Sequence, residues 1–286
     1  MSAASPVVAP HPSSRCQLLI VDPQNDFCDG IEGATLPVPG AHADLQRVAG
    51  FIEAAGSRLT DIVVTLDSHP AYAIERPSFW QTADGGPVAP FTQITLQQVK
   101  DGAYAPRDRH LAEHVRFYLG ALEASPKQYR LMVWPTHCVT GTPGHNIHAD
   151  VAQALAAWES RSLRVVEKVL KGRHPLTEQY SAVKAEVPLP DDPSTGIHHV
   201  LVDRIVSFAG LTFIAGEASS HCVAATAEDL LEAMTPERRH RVVLLRDCMS
   251  PVTGFEAGEA AFFQRAADWG VRSMTAAEAL ALVAAG

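Results

Sequence analysis

Nothing in this 286-residue chain spaces cysteines as metal knuckles or disulfide frameworks do: there are five, an odd number, with no CxxC pair. The opening Met1–Arg15 lacks both a basic start and an apolar core, so no secretory signal is expected and a reduced, cytoplasmic setting is. Cationic excess is missing too. Lys plus Arg total 23 against 32 for Asp plus Glu, a net charge of -9, which leaves no electrostatic case for gripping nucleic acid or an anionic membrane. No apolar run approaches the ~20 residues that cross a bilayer. What is abundant is core material: 47% of residues are hydrophobic, which excludes a disordered chain or a disulfide-stapled miniprotein.

Short β-branched runs alternate with longer amphipathic stretches. Strands are expected at Gln17–Val21, Ile62–Leu66, Leu131–Trp134, Arg164–Val169, Leu211–Ala215 and Val242–Leu245, with a short seventh at Val271–Met274. Helices are expected near 41–57, 107–124, 149–160, 177–185, 198–208, 220–234, 256–269 and 275–284. This rhythm predicts a three-layer α/β fold, a central mostly parallel sheet of about six strands with helices on both faces. Asp84–Pro90 and Val187–Gly196 are rich in Pro, Gly and acid and read as surface loops. Residues 1–15 are expected to be a flexible N-terminal segment, and 16–286 a single domain with insertions near 71–130 and 182–210.

Unusual polar residues sit where the strands end, the edge of an open α/β sheet at which ligands bind. Asp22 closes the first strand in LLIVDPQNDF, where a carboxylate in a partly desolvated crevice can shuttle a proton; it also reads as a turn cap. Cys222 follows the fifth strand in GEASSHCVAAT. A helix beginning near Ser219 or Ser220, either a candidate cap, would place the thiol in its first turn, where the helix dipole favours thiolate. The competing reading is an inert buried cysteine, which suits Cys16 and Cys248 better than Cys28 and Cys138. Lys171, or Lys168 before it, can supply positive charge to both groups. Asp67 and His69, two apart in an extended segment, share a face; with His137 from a neighbouring strand end they would make a two-His, one-carboxylate set for Zn, Fe or Mn. His110 and His114 read as a solvated helix face, and His198 and His199 carry no assigned role.

The motifs resemble the isochorismatase-like cysteine hydrolase superfamily and, within it, the nicotinamidases. Asp22-Pro-Gln-Asn-Asp-Phe27 is similar to the family's acid motif and Asp67-Ser-His69-Pro70 to its metal motif. Trp134-Pro-Thr-His137-Cys138-Val, followed by Gly141-Thr-Pro-Gly144, is similar to the segment with the third ligand. Lys171-Gly172 with Tyr180-Ser181-Ala182 resembles the lysine motif, and Gly216-Glu-Ala218 through His221-Cys222-Val223 the nucleophile motif. The resemblance spans about Gln17 to Val252. It implies a triad of Asp22, Lys171 and Cys222. It implies a divalent metal on Asp67, His69 and His137, zinc first, with iron or manganese also compatible. It implies a cis peptide between Glu217 and Ala218, an oxyanion hole from the Ala218 and Cys222 amides, and substrate-binding roles for Phe27, Trp134 and Tyr180. The implied reaction is hydrolysis of nicotinamide to nicotinic acid and ammonia through a Cys222 thioester, within NAD salvage. Ser68, where many relatives have Trp, and Ser220, where an acid is common, depart from the pattern. Three alternatives stand beside this reading: another small amide or carbamoyl substrate, a metal-centred enzyme that leaves Cys222 idle, and a binding module without catalysis. The expected partner is a small molecule, with neither nucleic acid nor membrane, and the chain is compatible with a homo-oligomer.

Overall fold

Every side chain from Cys16 to Val21 is buried, a condition met by a strand covered on both faces. Leu18 and Ile20 join the apolar core on one side of that strand, Leu19 and Val21 the core on the other. The computed structural model describes residues 15–127 and 129–285. The expected N-terminal segment lies outside them except for Arg15, whose carbonyl accepts from Leu211 N.

In chain order the elements are β1 (Cys16–Val21), α1 (Ala41–Ala55), β2 (Leu59–Asp67), β3 (Trp80–Thr82), β4 (Thr92–Ile94), α2 (Leu96–Lys100), β5 (Tyr104–Pro106), α3 (Ala112–Ala124), β6 (Leu131–Val133) and α4 (Ala149–Ser162). There follow β7 (Glu167–Lys171), α5 (His199–Ser207), β8 (Leu211–Gly216), α6 (Cys222–Glu232), α7 (Pro236–Arg239), β9 (Val242–Leu245), α8 (Glu256–Asp268), β10 (Arg272–Met274) and α9 (Ala276–Ala285). Six strands form one parallel sheet in the order β10-β9-β8-β1-β2-β7. Helices α1, α4 and α9 cover one face and α5, α6 and α8 the other, giving three layers. Among the described residues, no helix is long and apolar enough to cross a membrane.

Two expected elements are corrected. Leu131–Val133 is a strand, but it pairs antiparallel with β4 instead of joining the central sheet; an apolar run announces a strand without naming its partner. Residues 177–185 form turns, not a helix, because their polar groups find tertiary partners. Thr177 Oγ1 donates to Val187 O, Glu178 N to the Tyr118 hydroxyl and Ala182 N to Thr226 Oγ1. The fourth expected strand, Arg164–Val169, is also displaced, running Glu167–Lys171, so Lys171 is its last residue instead of lying beyond its end.

The stretch near 71–130 builds two small antiparallel sheets and a core of its own, in which Phe79, Trp80, Val115, Tyr118 and Leu119 meet Leu131, Val133 and Val187. Asp84–Pro90 is mostly exposed, whereas Val187 and Thr195 at either side of the second expected loop are buried. The fold thereby sets the carboxyl ends of four adjacent strands, β8, β1, β2 and β7, side by side.

Candidate active site

Asp22, Lys171 and Cys222 come from different crossover units and meet at that edge. Lys171 Nζ lies 2.9 Å from Asp22 Oδ2 and 3.4 Å from Cys222 Sγ. Thr65 Oγ1 donates to Asp22 Oδ1 at 2.6 Å. The turn that delivers Cys222 depends on Gly216, at φ 114°, where a Cβ would come 1.9 Å from the Val21 carbonyl oxygen. After it the Glu217–Ala218 peptide is cis and α6 begins at Cys222. His221 and Val223 N donate to Ala218 O and Ser219 N to Ser250 O. Among the described residues the Ala218 and Cys222 amides have no acceptor, which leaves both donors at the thiol.

Neither expected serine caps α6. His221 is the N-cap residue, without a side-chain cap bond, because Ser219 Oγ donates to Glu259 Oε1 and Ser220 Oγ pairs with His221 Nδ1. The thiol also departs from the thiolate that the helix dipole favours. Burial pushes the Cys222 pKa well up, Lys171 opposes this, and the carboxylates of Asp22 and Asp67 add to the rise. Burial likewise raises Asp22, against the pull of the Lys171 charge. Lys171 itself is raised well above the usual lysine range, since Asp22, Asp67 and Cys222 together outweigh the cost of burying it. These shifts favour the thiol form of Cys222 and the ammonium form of Lys171 and make Asp22 a more basic carboxyl.

Asp67, His69 and His137, all buried, converge beside this trio, with ligand atoms all within 4.8 Å of one another. His69 Nε2 lies 2.8 Å, and His137 Nε2 3.2 Å, from the same Asp67 Oδ2. His137 reaches the site although β6 stands apart from the central sheet, because the chain just after it pairs with His69: His69 N donates to Cys138 O and Thr140 N to His69 O. Burial and the neighbouring Arg76 lower His137 to about 4, so its imidazole is neutral and available. For His69 burial acts in the same direction, but the Asp67 carboxylate prevails and raises it to about 9. His137 Nδ1 is 2.7 Å from Pro135 O and 2.8 Å from Arg76 Nη1, which turns Nε2 toward Asp67. His69 Nδ1, on the side of the ring away from Asp67, is buried 3.1 Å from Glu75 Oε1. One carboxylate and two imidazoles fit a divalent transition metal. Gly172, at φ 69°, closes the back of the site; a Cβ there would fall 2.6 Å from His69 Cε1.

Between the two groups lies a pocket lined by Phe27, Leu36, Trp134, Glu178, Tyr180, His221 and Val252 together with the metal-type ligands, Lys171 and Cys222. Its cavity volume is about 30 Å³, more than the ~10–15 Å³ by which a cavity holds one water. Trp134 Nε1 donates to the Tyr180 hydroxyl at 3.0 Å. The His221 ring packs 5.0 Å from Trp134 and 4.6 Å from Phe255. Phe27, Trp134 and Tyr180 were expected on this wall; Glu178 was not, and neither His221 nor the Phe255 ring behind it had a role of its own.

The other candidates fall elsewhere. Lys168 is exposed, on the opposite side of β7 from Lys171. Cys28 and Cys138 are fully buried, their pKa values raised by burial, and Cys28 Sγ donates to Gln24 O. His110 is exposed, but His114 is half-buried against Leu176 O, not part of a solvated face. His198 Nδ1 accepts from Leu201 N and caps α5.

No family model matches the chain. A nicotinamidase of Acinetobacter baylyi is 28% identical over 221 residues, 77% of each chain. Among solved structures, the yeast nicotinamidase bound to the inhibitor nicotinaldehyde superposes with a TM-score of 0.62 at 18% identity, covering 91% of this chain and 99% of that one. A pyrazinamidase of Pyrococcus horikoshii in complex with zinc gives 0.52 at 21% identity, covering 91% and 99%. The chain has the three-layer α/β fold of the isochorismatase-like structures it superposes on. Within that class the comparisons support the nicotinamidase branch.

Proposed function

We propose that this chain hydrolyses nicotinamide to nicotinate and ammonia through a thioester on Cys222. The observation that carries the reading is the Lys171 ammonium, in contact with Asp22 and Cys222 on one side and with Asp67 on the other. It is supported by the nicotinamidase relative and by a structural neighbour that binds nicotinaldehyde.

In this mechanism Asp22 takes the thiol proton as Cys222 Sγ attacks the amide carbon. The oxyanion that forms is met by the Ala218 and Cys222 N–H groups. Asp22 returns the proton to nitrogen, the C–N bond breaks and ammonia leaves. Water, losing a proton to Asp22, then attacks the thioester; nicotinate departs and the thiol is restored. Lys171 keeps Asp22 from being permanently protonated in its buried setting. Asp67, His69 and His137 would hold a divalent cation, zinc being the first to test and iron or manganese next. When bound, that cation supplies a Lewis-acid anchor for the ring nitrogen. Phe27, Trp134 and Tyr180 flank the ring. His221, packed against Phe255, adds a further ring to that wall. The product would feed NAD salvage in the cytoplasm, a setting consistent with five free cysteines.

Ammonia release from nicotinamide by the wild type and by Cys222→Ala tests this directly. Turnover by the wild type with loss of activity in the variant is expected; an undiminished rate in the variant excludes the mechanism.

A further inference from the structure

Behind the two histidines, away from Asp67, stand Glu75 and Arg76. In sequence they are a charged pair before a proline and carry no motif. In the fold they are 1% and 0% exposed, which is costly for two ionic groups unless each has a specific partner. Each is directed at one histidine. Glu75 Oε1 lies 3.1 Å from His69 Nδ1 and 3.3 Å from Arg76 Nε. Arg76 Nη1 donates to Pro135 O at 2.8 Å and lies 2.8 Å from His137 Nδ1, and Nη2 donates to His137 O at 3.1 Å, so one guanidinium clamps the second ring and the turn that carries it. The backbone locks the pair in place: Trp134 N donates to Glu75 O and Arg76 N to Ala73 O.

We propose that Glu75 and Arg76 are positioning residues for the metal ligands, Glu75 holding His69 with its proton on Nδ1 and Arg76 fixing the 135–137 turn so that His137 presents Nε2. This rests on reading Asp67, His69 and His137 as a metal site. Glu75 is not a fourth ligand in this arrangement, since it contacts the ring nitrogen opposite the one that faces Asp67. Its carboxylate makes His69 a stronger donor through the imidazole. Arg76 compensates the second buried negative charge and leaves the ligand set less repulsive to its own anions. Groups that hold a ligating histidine by its far nitrogen typically govern metal affinity by about 10–100-fold.

The test uses the full chain, stripped of metal and titrated with Zn²⁺ against a chromophoric chelator. Glu75→Ala should weaken Zn²⁺ binding by about 10–100-fold. Glu75→Gln, which retains an acceptor at the same reach, should recover most of it. Arg76→Lys keeps the charge but cannot serve two carbonyls, and should also weaken binding. Alkylation of Cys222 by iodoacetamide at wild-type rate would show that the fold around the thiol persists. A wild type that binds Zn²⁺ and variants that bind it equally well overturn the positioning role alone. A wild type that takes up neither Zn²⁺, Mn²⁺ nor Fe²⁺ overturns the metal reading and this inference with it.

Discussion

Lys171 Nζ donates to Asp67 Oδ1 at 2.8 Å, so the ammonium that faces the Cys222 thiol is bonded directly to a member of the metal-type set. Asp22 lies on the same nitrogen. One positive charge therefore serves two buried carboxylates, and the thiol half and the histidine half of the site are a single electrostatic unit.

Lys171→Met should be damaging in two ways. It leaves Asp22 and Asp67 buried without their cation, which costs about 3–5 kcal/mol of stability in comparable buried pairs. It should also lower kcat/KM on nicotinamide by about a thousandfold or more, because the groups act as one unit. Urea unfolding and ammonia release, measured on the same preparation, check both.

Gly172→Ala adds a single methyl group where His69 Cε1 and Asp67 Oδ1 already stand within 3.0 Å of its position. The residue is also in the left-handed region, at φ 69°, which L side chains disfavour. The expected outcome is a displaced His69, at least about tenfold weaker Zn²⁺ retention and a matching fall in activity, read by metal content after dialysis.

Glu178 is 4% exposed, and burial, reinforced by the nearby Glu75 charge, raises its pKa to about 8. An acid raised above its unfolded value of about 4.3 contributes stability that is fully present below that value and is lost as pH rises through its folded pKa. The thermal midpoint should therefore fall between about pH 4.3 and 8 and level off above, and Glu178→Gln should flatten that decline. Calorimetry across the range at constant ionic strength decides; an equally steep decline in the variant would refute the assignment.

Trp134→Ala removes the ring that holds the Tyr180 hydroxyl and packs against His221. It should lower kcat/KM for nicotinamide by about 10–100-fold, mainly through KM, because the lost contact is a binding surface and not a reacting group. Trp134→Phe should recover part of the loss. Initial-rate kinetics over a wide substrate range separate the two parameters.

The central sheet was legible because its strands are buried on both faces and read as apolar runs; β1, β8 and β9 lie within a residue of expectation. Leu131–Val133 misled because the same apolarity serves a strand of the insertion. The 177–185 segment misled because a helix-like pattern was overruled by Tyr118, Thr226 and Val187, residues far away in sequence or across a loop. In the site, residues at strand ends could be found, since Asp22, Asp67 and Lys171 stand out as polar after apolar runs. Glu75 and Arg76 could not: in sequence they look solvated, and their burial exists only once the insertion has folded over them. Phe255 gave no signal, as an aromatic in a loop announces no neighbour.

The parallel sheet is not equally guarded along its width. Asp22 leaves β1, which has a neighbour on each side, but Lys171 closes β7, the sheet's outermost ribbon, bonded only to β2. Peeling that ribbon away takes little from the interior, yet it withdraws the shared cation and strands two anions at once. Catalytic competence should thus fade on warming before the molecule melts, and deuterium should enter the 167–171 amides earlier than those of 16–21.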